Sequence, residues 1–350
     1  MKTITVKASK DYNVIIGSGL HQKTGTYAAS LYKTGKAVVI SDTNVWPLYG
    51  ETVEQSLKSA GFDCFHYVFS AGEASKNGNT YLAILNHLAQ LQITRSDILI
   101  ALGGGVVGDM TGFVAATYLR GIPYIQIPTT LLAMVDSSVG GKTAIDLPTG
   151  KNLVGAFYQP GMVICDIDSL QTLPDSIFRD GCAEVIKYGV LYDPVLFEHL
   201  QTNGLYFDRE LVVSRCVELK RNVVAEDEFD RGARQKLNLG HTIGHGIELN
   251  SNFSVSHGQA VAIGMAIIAK AGCASGICCL DAYDKILTIL DLFGLPQKTD
   301  CTAKMIYNCA LSDKKRAGNT VNLIIPRQIG DCIIYPTAVD ELLTFIEAGL

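Results

Sequence analysis

The rhythm of apolar and polar positions along this 350-residue chain changes once. As far as about Asp168, apolar runs near Ala37, Cys64, Ile98, Tyr124 and Val163 read as strands, and amphipathic stretches between them, such as Tyr81 to Leu91, read as helices. Met1 to Ile16 alternates like a further strand. Strand and helix in succession predict a parallel sheet covered on both faces. After Leu173-Pro174 apolar residues recur at three- and four-residue spacing as far as about Leu292, with few β-branched clusters, which predicts helices; Val321 to Pro326 reads as a late strand or edge hairpin. The expected fold is α/β: an N-terminal Rossmann-like parallel-sheet nucleotide-binding domain over 1–173, then a mainly α-helical metal- and substrate-binding domain over 174–350. The cleft between two such domains is the default place for a site.

Glycine is concentrated between Asp97 and Pro160. That stretch holds Gly103-Gly104-Gly105-Val106-Val107-Gly108-Asp109, a Pro128-Thr129-Thr130 turn, Gly140-Gly141-Lys142-Thr143 and Gly150-Lys151-Asn152. Backbone exposed by glycine beside cations suits the binding of phosphate groups. The first run follows the apolar Ile98 to Leu102 and precedes a helix-like Met110 to Ala116, so it reads as a tight strand-to-helix turn. It also satisfies G-x-G-x-x-G, a weak pattern that a ligand-free turn matches equally well. Asp42 closes an earlier strand, where it either accepts from a nucleotide ribose or starts a turn.

The helical half offers metal-ligand chemistry. His241, His245 and Glu248 follow one another at spacings of four and three, on one face of a helix, and imidazole with carboxylate is what zinc takes in catalytic sites. Three of the seven histidines, those two and His257, fall close together. Glu184 and Lys187 sit three apart in an otherwise apolar helix, where burial is costly unless the charges are paired or bound. Taken singly, each feature also fits capped core residues or a plain helix ion pair. The cations Lys220 and Arg234 and the amide Asn238 either bind anions or are solvated, and spacing does not separate the two.

Composition narrows the partners. A net charge of −5 gives no reason to expect nucleic acid or an anionic membrane. No apolar run reaches the length of a membrane span and Met1 to Ile16 lacks a signal-peptide core, so a cytoplasmic location is expected. The ten cysteines contain no C-x-x-C pair and read as reduced thiols.

Taken together, the glycine runs, Pro128-Thr129-Thr130-Leu131-Leu132-Ala133, Val135-Asp136-Ser137-Ser138-Val139-Gly140-Gly141-Lys142-Thr143, Gly150 to Gly155, Glu184-Val185-Ile186-Lys187, Leu237 to His245, Ser256-His257-Gly258 and Asp313 to Arg316 closely resemble 3-dehydroquinate synthase. Asp230 departs from the pattern, where the family commonly has Glu. The resemblance implies NAD against Asp42, Gly72, Glu73, Lys76, the turn Gly105, Val106, Val107, Gly108 and Asp109, then Thr129, Thr130, Lys142, Lys151 and the loop Ser169, Leu170, Gln171, Thr172, with Asp136 near the nicotinamide. It implies zinc or cobalt on Glu184, His241 and His257, which moves His245 from the metal to the substrate phosphate and gives Glu248 no ligand role. Lys142, Asn152, Asn238 and His245 would hold phosphate; Lys187, Lys220, Arg234 and Lys314 (or Lys315) would hold hydroxyls and carboxylate; Arg120 would reach the substrate phosphate of the neighbouring protomer in a homodimer.

The implied reaction takes 3-deoxy-arabino-heptulosonate 7-phosphate through transient oxidation by NAD, β-elimination of phosphate, reduction and aldol closure. Two other kinds of enzyme remain in view. Other sugar-phosphate cyclases, the 2-epi-5-epi-valiolone and 2-deoxy-scyllo-inosose synthases, act on substrates without the matching carboxylate, and metal-dependent polyol dehydrogenases would release NADH.

Overall fold

The computed structural model of the chain describes residues 1–251, 254–314 and 319–350, with 312–314 described in backbone only. It falls into two compact units, Met1–Leu173 with Arg209–Phe229, and Pro174–Asp208 with Asp230–Leu350.

In chain order the first unit contains β1 (Lys2–Val6), β2 (Tyr12–Gly17), α1 (Thr24–Leu31), β3 (Lys36–Asp42), α2 (Trp46–Ser59), β4 (Asp63–Phe69), α3 (Gly78–Gln90), β5 (Ile98–Gly103), α4 (Gly105–Thr117), β6 (Tyr124–Pro128), β7 (Lys142–Leu147), β8 (Gly150–Phe157) and β9 (Met162–Asp166). Seven strands form one sheet in the order β1-β2-β9-β6-β5-β3-β4, with β7 and β8 set apart as an antiparallel hairpin. Only the β1–β2 pair of the sheet is antiparallel. The strand β5 shows why the sheet is covered twice. Leu99 and Ala101 pack with Ile84 and Leu88 of α3 and Val107, Met110 and Phe113 of α4. Ile98, Ile100 and Leu102 point the other way, onto Ala28 of α1 and Val53 and Leu57 of α2. Each fully buried aliphatic side chain contributes about 1.5–3 kcal/mol, so a strand apolar at every position is stable only between two helical layers.

Beyond Pro174 come α5 (Asp175–Tyr192), α6 (Pro194–Asn203) and α7 (Arg209–Glu226). The last of these belongs to the first unit. Its Val212, Val213, Cys216 and Val217 are buried, Glu210 pairs with the amino terminus at 2.6 Å, and Glu218 pairs with Lys2 at 2.7 Å. A single division after residue 173 therefore differs from the observed units by this helix, because periodicity reveals an apolar stripe but not the sheet that the stripe covers.

The second unit continues with α8 (His241–Asn250), α9 (His257–Ala274), α10 (Leu280–Leu292), α11 (Ala303–Lys314), β10 (Thr320–Gln328), β11 (Asp331–Ala338) and α12 (Val339–Gly349). β10 and β11 pair as an antiparallel hairpin, the second of the two forms that Val321 to Pro326 allowed. α9 is buried along nearly its whole length, from Gly258 to Gly272. Its glycines admit its neighbours: a Cβ on Gly258 would lie 2.0 Å from the Asp180 carbonyl oxygen of α5, and one on Gly264 would lie 2.0 Å from the Gly240 carbonyl oxygen just ahead of α8. No disulfide joins any of the ten cysteines, all of which lie among the described residues.

Candidate active site

In the first unit the polypeptide leaves β5 through Gly104, in extended conformation, and enters α4. A Cβ on Gly108 would meet Gln126 Nε2 at 2.1 Å, so the Gln126 carboxamide would have to shift to admit it; a Cβ on Gly105 would stand 3.3 Å from Ser137 Oγ. Thr129 Oγ1, Ser137 Oγ and Ser138 Oγ are buried with no hydrogen-bond partner among the described residues. Buried hydroxyls left unmatched cost free energy. Beside the start of a long helix they are donors suited to an anion, and they make this turn fit a nucleotide pyrophosphate.

Asp42 ends β3. Its Oδ1 accepts from the backbone N–H of Asn44 at 2.8 Å and of Val45 at 3.0 Å, so one oxygen does start a turn while Oδ2 stays available. Gly72 takes a left-handed φ of 104° immediately before the turn Glu73–Ser75. The turn Ile167–Gln171 is capped by Asp166; in it Leu170 is core and Ser169 is buried, while Thr172 bonds the Tyr49 hydroxyl. Lys76, 4% exposed, donates to Asp109 Oδ2 at 2.6 Å and to Asn152 Oδ1 at 2.5 Å. Burial alone would depress its ammonium, but the Asp109 and Glu73 carboxylates outweigh that and raise its pKa. Lys151 lies 3.7 Å from Glu73. Lys220 on α7 pairs with Asp136 at 2.7 Å, both within this unit. Lys142 is exposed at the start of β7, and Arg120 is exposed with a left-handed φ of 67°.

The second unit carries the metal-type chemistry. Glu184 of α5, His241 at the start of α8 and His257 at the start of α9 each bring a ligand atom within 4.8 Å of the others. Both histidines approach through Nε2, each 3.4 Å from Glu184 Oε1, and Glu184 is 1% exposed. The other nitrogen of His257, Nδ1, faces Glu248 Oε2 at 3.4 Å. Lys187 Nζ is paired with Glu184 and is equally buried. Burial opposes charge on Glu184, yet Lys187 and His241 hold its carboxyl well below the usual range. Burial and Lys187 lower the His241 pKa. For His257 burial is overcome by Glu184 and Glu248, which push it up to about 10. Two carboxylates thus draw a proton onto one imidazole, a demand for positive charge that a divalent ion would satisfy on displacing that proton. The residues present fit such an ion.

The trio read from helix spacing alone, His241, His245 and Glu248, is not what the fold assembles. His241 is drawn to Glu184, while His245 and Glu248 group with His257 in a second set of possible ligands. An i, i+4, i+7 pattern finds residues on one helix and is blind to donors arriving from α5 and α9. Arg234 is buried in the turn Ala233–Asn238, Asn238 and His245 are exposed, and Asp230 has a left-handed φ of 57°. The Lys314 side chain and Lys315 lie outside the described residues. The buried hydroxyls of Ser137 and Ser138, and Glu248 as the partner of His257, are polar groups near the candidate residues that motif spacing did not assign.

A parallel-sheet unit followed by a helical unit with a Glu-His-His cluster is an architecture this chain shares with sugar-phosphate cyclases of known structure. The solved structure of ValA, the 2-epi-5-epi-valiolone synthase of Streptomyces hygroscopicus with NAD+ and Zn2+ bound, matches it with a TM-score of 0.90 at 25% identity, covering 100% of this chain and 98% of that one. 2-Deoxy-scyllo-inosose synthase, complexed with carbaglucose-6-phosphate, NAD+ and Co2+, matches with a TM-score of 0.90 at 24% identity over 100% of both chains. An iron-containing alcohol dehydrogenase shares the fold at a TM-score of 0.69 and 14% identity, with 99% of each chain covered.

Sequence narrows this further. Residues 66–180 match the family 3-dehydroquinate synthase N-terminal, and residues 181–316 match 3-dehydroquinate synthase C-terminal. The 3-dehydroquinate synthase of Clostridium acetobutylicum is 45% identical over 99% of both chains, and that of Pelobacter propionicus is 43% identical over 98% of both. The chain belongs to the 3-dehydroquinate synthase family, enzymes of the shikimate pathway. No helix among the described residues is long and apolar enough to cross a membrane.

Proposed function

We propose that the chain converts 3-deoxy-D-arabino-heptulosonate 7-phosphate to 3-dehydroquinate and phosphate, with NAD held by the first unit and zinc or cobalt by the second, as a homodimer. The observation that carries this reading is the buried Glu184-His241-His257 cluster with its Glu248 and Lys187 neighbours. When bound, NAD would take up and return a hydride, and the metal would acidify the substrate alcohol as a Lewis acid.

The chain's own residues do the rest. Glu184, His241 and His257 would be the metal ligands, with Lys187 holding Glu184 ionised and Glu248 orienting His257 through Nδ1. The Gly105–Asp109 turn with Thr129 and Thr130 would take the pyrophosphate, and Gly72, Glu73, Lys76, Lys142, Lys151 and Ser169 to Thr172 would contact the rest of the nucleotide. The free Oδ2 of Asp42 would accept from the ribose, and Asp136 would lie near the nicotinamide. Lys142, Asn152, Asn238 and His245 would hold the substrate phosphate, joined by Arg120 of a second copy, while Lys187, Lys220, Arg234 and Lys314 would hold hydroxyls and carboxylate. A ketone at C5 makes the C6 proton acidic. The substrate's own phosphate, held as a dianion by these side chains, would take that proton as it leaves by β-elimination.

The test is to incubate the purified protein with zinc, a catalytic amount of NAD and the heptulosonate phosphate, following inorganic phosphate and the cyclic product. Release of both without lasting NADH absorbance is expected. NADH accumulating in step with substrate consumed would sink the reading and favour a polyol dehydrogenase.

A further inference from the structure

The hairpin β7–β8 is irregular at one place. Ile145 pairs with Val154 and Leu147 with Gly150, so Asp146 alone opposes Lys151, Asn152 and Leu153. A bulge of this kind re-aims a side chain. Asn152 sits in it with a left-handed φ of 55°. That conformation is costly for most side chains and tolerated by asparagine.

Asp146 is what meets this backbone. Its Oδ1 accepts from the Asn152 N–H at 2.7 Å. Its own N–H donates to the Lys76 carbonyl oxygen at 2.8 Å, and it forms an isolated bridge with Asn77. Lys76 completes a ring by donating from Nζ to Asn152 Oδ1 at 2.5 Å, while its second hydrogen bond holds Asp109 at 2.6 Å. With Oδ1 engaged by a buried ammonium, the NH2 group of the exposed Asn152 donates to nothing among the described residues. It is a preset donor for an anion.

We infer that Asp146 is a positioning residue: through a closed circuit of hydrogen bonds with Lys76 and Asn152 it ties the loop after Gly72 to the bulge, so that the nucleotide loop and the phosphate-facing carboxamide are ordered together. The inference rests on the function proposed above for what Asn152 binds, while the circuit itself stands on the geometry. Nothing in the motifs marked Asp146, since its work is done on backbone atoms and only the fold brings Lys76 within reach.

The decisive contrast is between Asp146→Asn, which keeps a carbonyl acceptor for the Asn152 N–H, and Asp146→Ala, which removes it. Hydrogen exchange in the unliganded protein is measured on peptides spanning 70–80 and 148–157, with thermal midpoints as a control for folding. Wild type and Asp146→Asn should exchange alike, and Asp146→Ala at least tenfold faster in both peptides with the rest of the first unit unchanged. In turnover with the heptulosonate phosphate, Asp146→Ala should raise KM tenfold or more with a smaller fall in kcat, and Asp146→Asn should stay within threefold of wild type.

Unchanged exchange in Asp146→Ala, faster exchange in one peptide without the other, or equal impairment of both variants overturns the inference. If Asp146→Ala fails to fold, Asp146→Asn still decides: impairment in that variant means the acceptor is not what matters. A wild-type protein that releases no phosphate condemns the proposed function instead, and the exchange comparison still decides the circuit.

Discussion

At the residue scale, the second unit separates groups that bind from groups that hold the binder. Glu184 is buried against Lys187 and faces two imidazoles, so its charge is settled by its neighbours. Loss of one of three protein ligands leaves too few donors to retain a divalent ion. Glu184→Ala, His241→Ala and His257→Ala should therefore purify nearly metal-free, whereas His245→Ala should keep its metal and lose substrate affinity. Glu248→Gln should weaken metal binding about 10–100-fold, the usual effect of removing a carboxylate that orients a ligand histidine. Metal content and competition with a chelator read all five variants. A metal-free His245→Ala beside a metal-replete His241→Ala would instead favour the set His245, Glu248 and His257.

Asp42 is tested separately. With Oδ1 committed to its turn, Oδ2 should accept from a ribose diol and repel a 2′-phosphate by an amount on the order of 1–4 kcal/mol, or about tenfold or more in Kd. Titration calorimetry should find NAD bound more tightly than NADP, with the gap narrowed in Asp42→Ser. Equal affinities in wild type would remove Asp42 from the site.

At the scale of elements, the Glu184-His241-His257 cluster depends on how closely three helices approach. Gly240 has a left-handed φ of 78°, and its carbonyl oxygen lies where a Cβ on Gly264 would be. Gly264→Ala must push α9 away from the start of α8, separating His257 from His241. Overpacking of this kind costs about 1–3 kcal/mol. We expect a lower denaturant midpoint together with weakened metal binding, and Ala262→Gly on the same helix serves as a control that adds no atom. A Gly264→Ala protein with wild-type metal affinity would show that the close contact at Gly264 does not set the spacing of His257 from His241.

At the scale of the whole molecule, Arg120 ends a short turn after α4, exposed and in a left-handed conformation that a plain surface arginine does not need. If it serves a second copy, mixing inactive Arg120→Ala with inactive Lys187→Ala under exchange conditions should restore partial activity, because one of the two sites in the mixed dimer has both residues intact. No recovery after verified exchange overturns that role.

The alternation of strands and helices was legible along the chain because each element buries an apolar face with its own period, and β5 and α3 lie within a few residues of where that period places them. The hairpin β7–β8 was hidden among glycines and lysines, since its strands are partly exposed and bulged. Glu184, Lys187, His241, His245, His257 and Glu248 were all visible as candidates. Which of them share one centre was decided by α5, α8 and α9 packing through glycine, and spacing along a single helix carries no information about that. The return of α7 to the first unit and the circuit through Asp146 have the same origin. Residue type and periodicity are written locally, whereas a ligand set is a coincidence in space of segments far apart in sequence, and only the packed core brings it about.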